Sequence, residues 1–156
     1  MTKSPSALVG DAGRLAALAG YDILDTPAEP GFDDVVHLAC QLCDTPVSLV
    51  SLVAGERQWF KARQNFPRCE TDLDSSVCAH ALARPDRVLV IPDLTVDPRT
   101  SANPLVTGDP FIRFYAGAPL VTPDGDMLGT LCVIDTVPRP GGLTGRQVDD
   151  LTRLAR

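Results

Sequence analysis

The run Val47-Ser48-Leu49-Val50-Ser51-Leu52-Val53 restricts the folds open to this chain more than any other feature. Side chains alternate between the two faces of a strand, so Val50 and Leu52 point one way while Val47, Leu49 and Val53 point the other. A β-branched strand that is apolar on both faces belongs inside a sheet, with a covering layer on each side. At 156 residues the chain is long enough for one such layered domain and too short for two.

Composition narrows the function classes. Hydrophobic residues at 44% and charged residues at 22% exclude disorder and fibrous repeats. The net charge is -6, lysine occurs only at positions 3 and 61, and the arginines are scattered, so a basic face for nucleic acid is not expected. No apolar stretch approaches the roughly 20 residues of a membrane span, and no signal-peptide pattern follows Met1, which points to a cytoplasmic protein without a membrane partner. The five cysteines, at 40, 43, 69, 78 and 132, are odd in number and irregular in spacing, and read as reduced thiols.

Along the chain, residues 1–10 read as a loose leader and 11–156 as one domain. Leu15, Leu18 and Ala19 give a first amphipathic helix ending near Gly20, and Phe32, Val35, Val36, Ala39, Cys40 and Cys43 follow the helical stripe spacing. Pro46 precedes the apolar strand, and Ala54-Gly55-Glu56-Arg57 turns it into a second strand from Gln58. A polar segment from Arg63 leads to a short helix over Ser76–Ala83 with Ser75 or Ser76 as N-cap, then to a strand over Val88–Ile91.

From Pro92 to Ile112 no period is present, and prolines stand at 92, 98, 104 and 110. So long a loop in a compact domain is usually functional, and Leu105, Val106 and Phe111 favour one that packs. Arg113–Leu120 and Met127–Ile134 form a hairpin across Pro123-Asp124-Gly125-Asp126, and Thr144 caps a last helix striped by Val148, Leu151 and Ala155. No stop signal closes that helix, so it is expected to run on in a longer chain. This order predicts an α+β fold with a mostly antiparallel sheet.

Five stretches, Tyr21-Asp22-Ile23-Leu24-Asp25-Thr26, Arg57-Gln58-Trp59-Phe60-Lys61, Ser76-Val77-Cys78-Ala79-His80-Ala81, Ile112 to Leu120 and Gly129-Thr130-Leu131-Cys132-Val133-Ile134-Asp135, occur in an order that resembles bacterial GAF domains of sensor kinases and cyclic-di-nucleotide signalling proteins. The resemblance implies a central antiparallel sheet of five or six strands, helices from the two ends packed together on one face, and a ligand pocket on the other. That pocket would be roofed by the short helix and the long loop. Such domains bind cyclic nucleotides, tetrapyrroles, haem or small metabolites, so the resemblance names no cofactor.

Residue types narrow the chemistry. Cys78 and His80 are separated by Ala79, whereas the bilin-carrying branch of the family has the two adjacent, and on a helix they point about 200° apart. A half-buried thiol and a hydrogen-bonded histidine fit better than a bilin anchor. A nucleophilic Cys78 with Cys69 or Cys132 is the redox alternative, as in the free methionine sulfoxide reductase on this fold, although the Gly-rich surroundings of that enzyme are missing here. Cys40-Gln41-Leu42-Cys43 has half-zinc-site spacing without a second half, and His37 lacks a partner for haem, so no metal site is expected.

Asp93, Asp97, Arg99 and Asn103 in the long loop are placed either to reach a ligand or to serve local turns. Arg113 and Tyr115 share a strand face and suit an anion and a ring; Cys132 shares a face with Leu128, Thr130 and Ile134 and either lines the pocket or fills a core. Gly117 and Gly129 within strands mark a close approach or a bulge. The expectation is a non-catalytic sensory module that binds a small ligand, dimerises through its terminal helices and signals to a downstream output domain. A thiol redox sensor and a ligand-free dimerisation module are the alternatives.

Overall fold

The computed structural model describes residues 8–72, 76–83, 85–108 and 110–155. The order is α1 (Ala12–Tyr21), α2 (Pro30–Cys43), β1 (Val47–Val53), β2 (Arg57–Gln64), β3 (Glu70–Asp72), α3 (Cys78–Ala81), β4 (Leu89–Ile91), α4 (Pro104–Thr107), β5 (Phe114–Val121), β6 (Met127–Asp135) and α5 (Gly145–Leu154). The strands make one six-stranded sheet in the order β3-β2-β1-β6-β5-β4, with every pairing antiparallel. The α+β fold and the antiparallel sheet are therefore as the sequence predicts, and the doubly apolar run lies inside the sheet between β2 and β6.

Both faces of β1 are covered. On one face Val50 joins Ala62, Phe114, Leu131 and Val133 under α2 and α5, where Val36, Ala39, Cys43 and Leu151 are buried. On the other, Leu49 and Val53 join Phe60, Tyr115, Cys132 and Ile134 beneath α3 and the long loop. α5 is fixed by a capping box at Thr144 and Gln147, whose side chain also donates to the Leu42 carbonyl of α2.

Two of the motifs prove to be each other's partners. A bulge between β1 and β2 leaves Lys61 outside the paired register, and its fully buried ammonium donates to Thr26 Oγ1 at 2.8 Å and the Pro27 carbonyl at 2.7 Å. Glu29 Oε2 at 2.5 Å and the Phe32 ring at 5.4 Å complete its shell. Arg57 meanwhile grips Asp25 with both terminal nitrogens, at 2.9 and 2.5 Å. The linker from α1 to α2 is thus held to β2 by two cations four residues apart.

Several local expectations change. Glu70–Asp72 pairs with Arg57–Trp59 as an edge strand inside what reads as a polar loop, too short for its own period to signal it. Ala19 is exposed, and the residue that α1 buries beside Leu18 is Arg14, whose guanidinium donates to the carbonyls of Leu8, Val9 and Met127. Residues 1–7 of the expected leader lie outside the described residues, whereas Val9 is buried in the core with Leu8 packed against it. No described helix is long and apolar enough to cross a membrane.

Gly129 marks a close approach of backbone: a Cβ there would overlap the Ser51 carbonyl on β1. Gly129→Ala is expected to destabilise the domain by about 3 kcal/mol through forced separation of β1 and β6. Urea unfolding of the variant checks this, against a Gly141→Ala control where nothing lies within 4 Å.

Candidate functional site: a small cavity beneath the roof

The roof is built from α3, α4 and the chain between Pro92 and Ile112. Ser76 starts α3 by accepting from the Ala79 N–H at 3.1 Å, and its own hydroxyl donates to Gln58 Oε1 at 2.7 Å. Gln58 in turn donates to Thr71 at 3.0 Å, so a buried polar relay ties roof, β2 and β3 together. Ser75, the alternative cap, lies outside the described residues.

The long loop packs, and one of its turns is helical. Leu94, Leu105, Val106 and Ile112 are buried, as is Thr100, which donates to the Leu94 carbonyl at 2.7 Å. Phe111 departs from the expected packing: it is half exposed, with φ at 58°, a conformation unusual for an aromatic residue.

Most of the loop's polar candidates are committed to local structure. Asp93 accepts from the Thr95 N–H and hydroxyl, and Asn103 accepts from the Leu105 N–H to cap α4. Asp97 accepts from the Arg99 N–H and holds its guanidinium at 2.7 Å. These bonds draw both Asp93 and Asp97 below the usual carboxylate range. Arg113 donates to the Val106 and Ile112 carbonyls at 2.8 and 3.0 Å and so clamps the loop end rather than facing the cavity. Sequence alternation places Arg113 beside Tyr115, but the backbone carbonyls capture it first.

The residues brought together are Tyr115, Thr130, Cys78 and Cys132. The Tyr115 hydroxyl donates to Cys78 Sγ at 3.1 Å and lies 3.1 Å from Thr130 Oγ1, which is itself 3.0 Å from Cys78 Sγ. Gly117 makes this possible, because a Cβ there would collide with the Tyr115 hydroxyl lying over it. Burial alone would raise the Cys78 thiol, yet the polar groups around it, Cys132, Ser51, Thr130 and Tyr115, together lower it to about 6. Burial and the neighbouring Cys78 push Tyr115 and Cys132 well up. Leu128 leaves the Cys132 face and packs with the Leu18 cluster, since an irregularity opposite Leu120 and Val121 interrupts the alternation.

The free space is small. Phe60, Leu49 and Ile134 from the sheet and Phe66, Val77, Leu105 and Ile112 from above close around Tyr115 and the two thiols, leaving a cavity of about 10 Å³. That volume holds about one water molecule. Ser51, wholly buried on this side of β1, has a hydroxyl without a hydrogen bond of normal geometry.

His80 does not line this cavity. It is partly buried against the roof beside Arg99 and Asp97, and burial followed by the Arg99 charge lowers its pKa. Cys69 is exposed and stands apart from the cavity, while His37 bonds Gln41 at the surface of α2. Cys40 and Cys43 are core thiols pushed up by burial, Cys43 to about 11. Among the described residues no cluster of three or more His, Cys, Asp or Glu side chains is arranged to hold a metal.

The GAF domain family model matches residues 28–156, and the chain belongs to that family. It is 42% identical over 143 residues to a cyclic di-GMP phosphodiesterase of Pseudomonas aeruginosa, covering 92% of this chain and 24% of that protein. The chain thus spans about a quarter of the length of this relative. Among solved structures, the GAF domain of an Acinetobacter phosphoenolpyruvate-protein phosphotransferase superposes with a TM-score of 0.65 at 15% identity, over 93% of this chain and 89% of that one. The blue-light-absorbing form of the Thermosynechococcus elongatus PixJ GAF domain gives 0.62 at 15% identity, over 94% and 84%. At these identities the structural likeness shows the fold alone.

Two outcomes are expected. Tyr115→Phe should lower stability by about 1 kcal/mol, measured by chemical denaturation, because Cys78 and Thr130 lose the hydroxyl that both contact. His80 is lowered in the folded state, so the unfolded chain binds the proton more readily. Its stabilising effect is therefore full above the ordinary value of 6.5 and declines as pH falls below it towards the lowered folded value. His80→Gln should flatten the stability profile in that window, as read by thermal unfolding at several pH values.

Proposed function

We propose that this domain is a sensory input module of a longer protein that turns over cyclic di-GMP. The observation that carries the reading is the 42% identity over 143 residues to a segment making up 24% of a cyclic di-GMP phosphodiesterase. The domain itself is non-catalytic in this reading, and the hydrolytic chemistry belongs to an output domain elsewhere in the chain.

The sheet supplies a route for the signal. Tyr115, Thr130 and Cys132 face the roof, while their strand neighbours Phe114, Leu131 and Val133 face α2 and α5. A small ligand that opens the cavity must displace α3 or the long loop, because only about 10 Å³ is free. Displacement of β5 and β6 then reaches the helical layer through one pleat, and the two packings differ in their affinity for the ligand. A homodimer through α2 and α5 would pass the movement to the output domains.

The filled cavity favours a second reading, in which the domain is a dimerisation module without a ligand. Deleting the domain from the full-length protein is expected to change cyclic di-GMP hydrolysis by about fivefold or more. An unchanged rate would overturn the sensory reading. Thermal unfolding of the reduced domain with cyclic di-GMP, cyclic GMP, cyclic AMP and biliverdin separates the two readings, since a ligand that binds the folded state raises the melting temperature.

A further inference from the structure

Cys78 and Cys132 lie on opposite sides of the seam between roof and sheet, one on α3 and the other within β6, and both line the cavity. Cys78 Sγ lies 3.0 Å from the Thr130 hydroxyl, and Thr130 and Cys132 stand two residues apart on the same face of β6. Packing alone does not call for what surrounds them: Tyr115 and Thr130 hydroxyls contact Cys78 Sγ, and the buried Ser51 hydroxyl is left without a full hydrogen bond on the same side. The other buried thiols, Cys40 and Cys43, lie across the sheet on α2. Cys69 is exposed and lines no part of this cavity.

We propose that Cys78 and Cys132 form a reversible disulfide that fastens the roof to the sheet, with a hydroperoxide as the oxidant. This rests on the sensory reading and names a regulation of the same site. In the first step Cys78 sulfur, as thiolate, attacks one peroxide oxygen. An S–O bond forms and the O–O bond breaks, and the leaving oxygen departs as an alcohol, or as water from hydrogen peroxide, carrying the thiol's proton. Cys132 sulfur then attacks the Cys78 sulfenic acid; the S–S bond forms, the S–O bond breaks, and the oxygen leaves as water with the Cys132 proton. Two thiols are oxidised to one disulfide and one peroxide bond is reduced.

The surroundings fit these separate roles. Donors converge on Cys78 and favour its thiolate, whereas burial and the nearby Cys78 keep Cys132 protonated until the sulfenic acid is present. The cavity beside the sulfurs admits about one water, so peroxide gains access when the roof opens. A disulfide of about 2.0 Å then draws α3 onto β6 and displaces the Tyr115 hydrogen bond.

The test treats the reduced native chain with hydrogen peroxide, alkylates free thiols in denaturant, and maps the peptides by mass spectrometry. The expected result is a cross-linked peptide joining Cys78 to Cys132, reversed by dithiothreitol, with amide exchange in α3 slowed by about tenfold or more. Cys132→Ser should arrest Cys78 at a sulfenic acid that dimedone traps; should that variant not fold, the native-chain map still decides. Recovery of alkylated Cys78 under conditions that fully oxidise Cys69, or of Cys78 joined to Cys69, would falsify the proposal. Either failure leaves the sensory reading intact, since that reading is tested on reduced protein by domain deletion and ligand-dependent unfolding.

Discussion

Burial of both faces of the central strand pair governs this structure. β1 and β6 run antiparallel from Val47 opposite Ile134 to Leu52 opposite Gly129, and neither face of the pair is open to water. Each face therefore needs its own apolar layer. The helical layer meets this with the regular stripes of α2 and α5. The opposite layer uses a four-residue helix and a proline-punctuated loop, so its backbone must find hydrogen bonds outside regular structure.

Backbone turn bonds supply many of these, such as Leu94 N–H to the Arg113 carbonyl and Ile112 N–H to the Leu105 carbonyl, and polar side chains of the loop supply others. Arg113 satisfies carbonyls of the loop, Asn103 and Asp97 serve turn N–H groups, and Thr100 closes onto Leu94. The same economy holds elsewhere, because Arg14, Lys61 and Arg139 each direct a cation at backbone carbonyls where separate chain segments meet. Arg139 takes the Cys43 and Asp44 carbonyls at the end of α2, pairs with Asp135 at 3.0 Å, and lies over the Phe114 ring. A cation with several fixed acceptors joins segments that have little apolar surface to share.

A roof held by short polar contacts over a nearly full cavity suits a module whose open state is less populated than its closed one. Besides the Ser76–Gln58–Thr71 relay, the Cys78–Tyr115–Thr130 group is a second place on that side where polar side chains converge. It links the roof to the strands whose opposite faces support α2 and α5. Ligand entry and thiol chemistry would therefore act on the same seam.

The central strand, the stripe of α2, the final hairpin and the Thr144 cap were legible in the sequence because each is a local pattern with its own period or capping chemistry. The pairing of Asp25 with Arg57 and of Thr26 with Lys61 was visible only as two separate motifs. β3 carried no signal, since its three residues are a strand only by pairing with β2. Tyr115 and Cys132 could be assigned to a face by alternation, but their meeting with Cys78 depended on how α3 docks and on the space left by Gly117. The sequence by itself determined the longer strands and helices and most of the faces they bury, because those follow from neighbours along the chain. Tertiary structure alone decided which polar groups face the cavity and which are consumed by backbone carbonyls, because that competition is between residues distant in sequence.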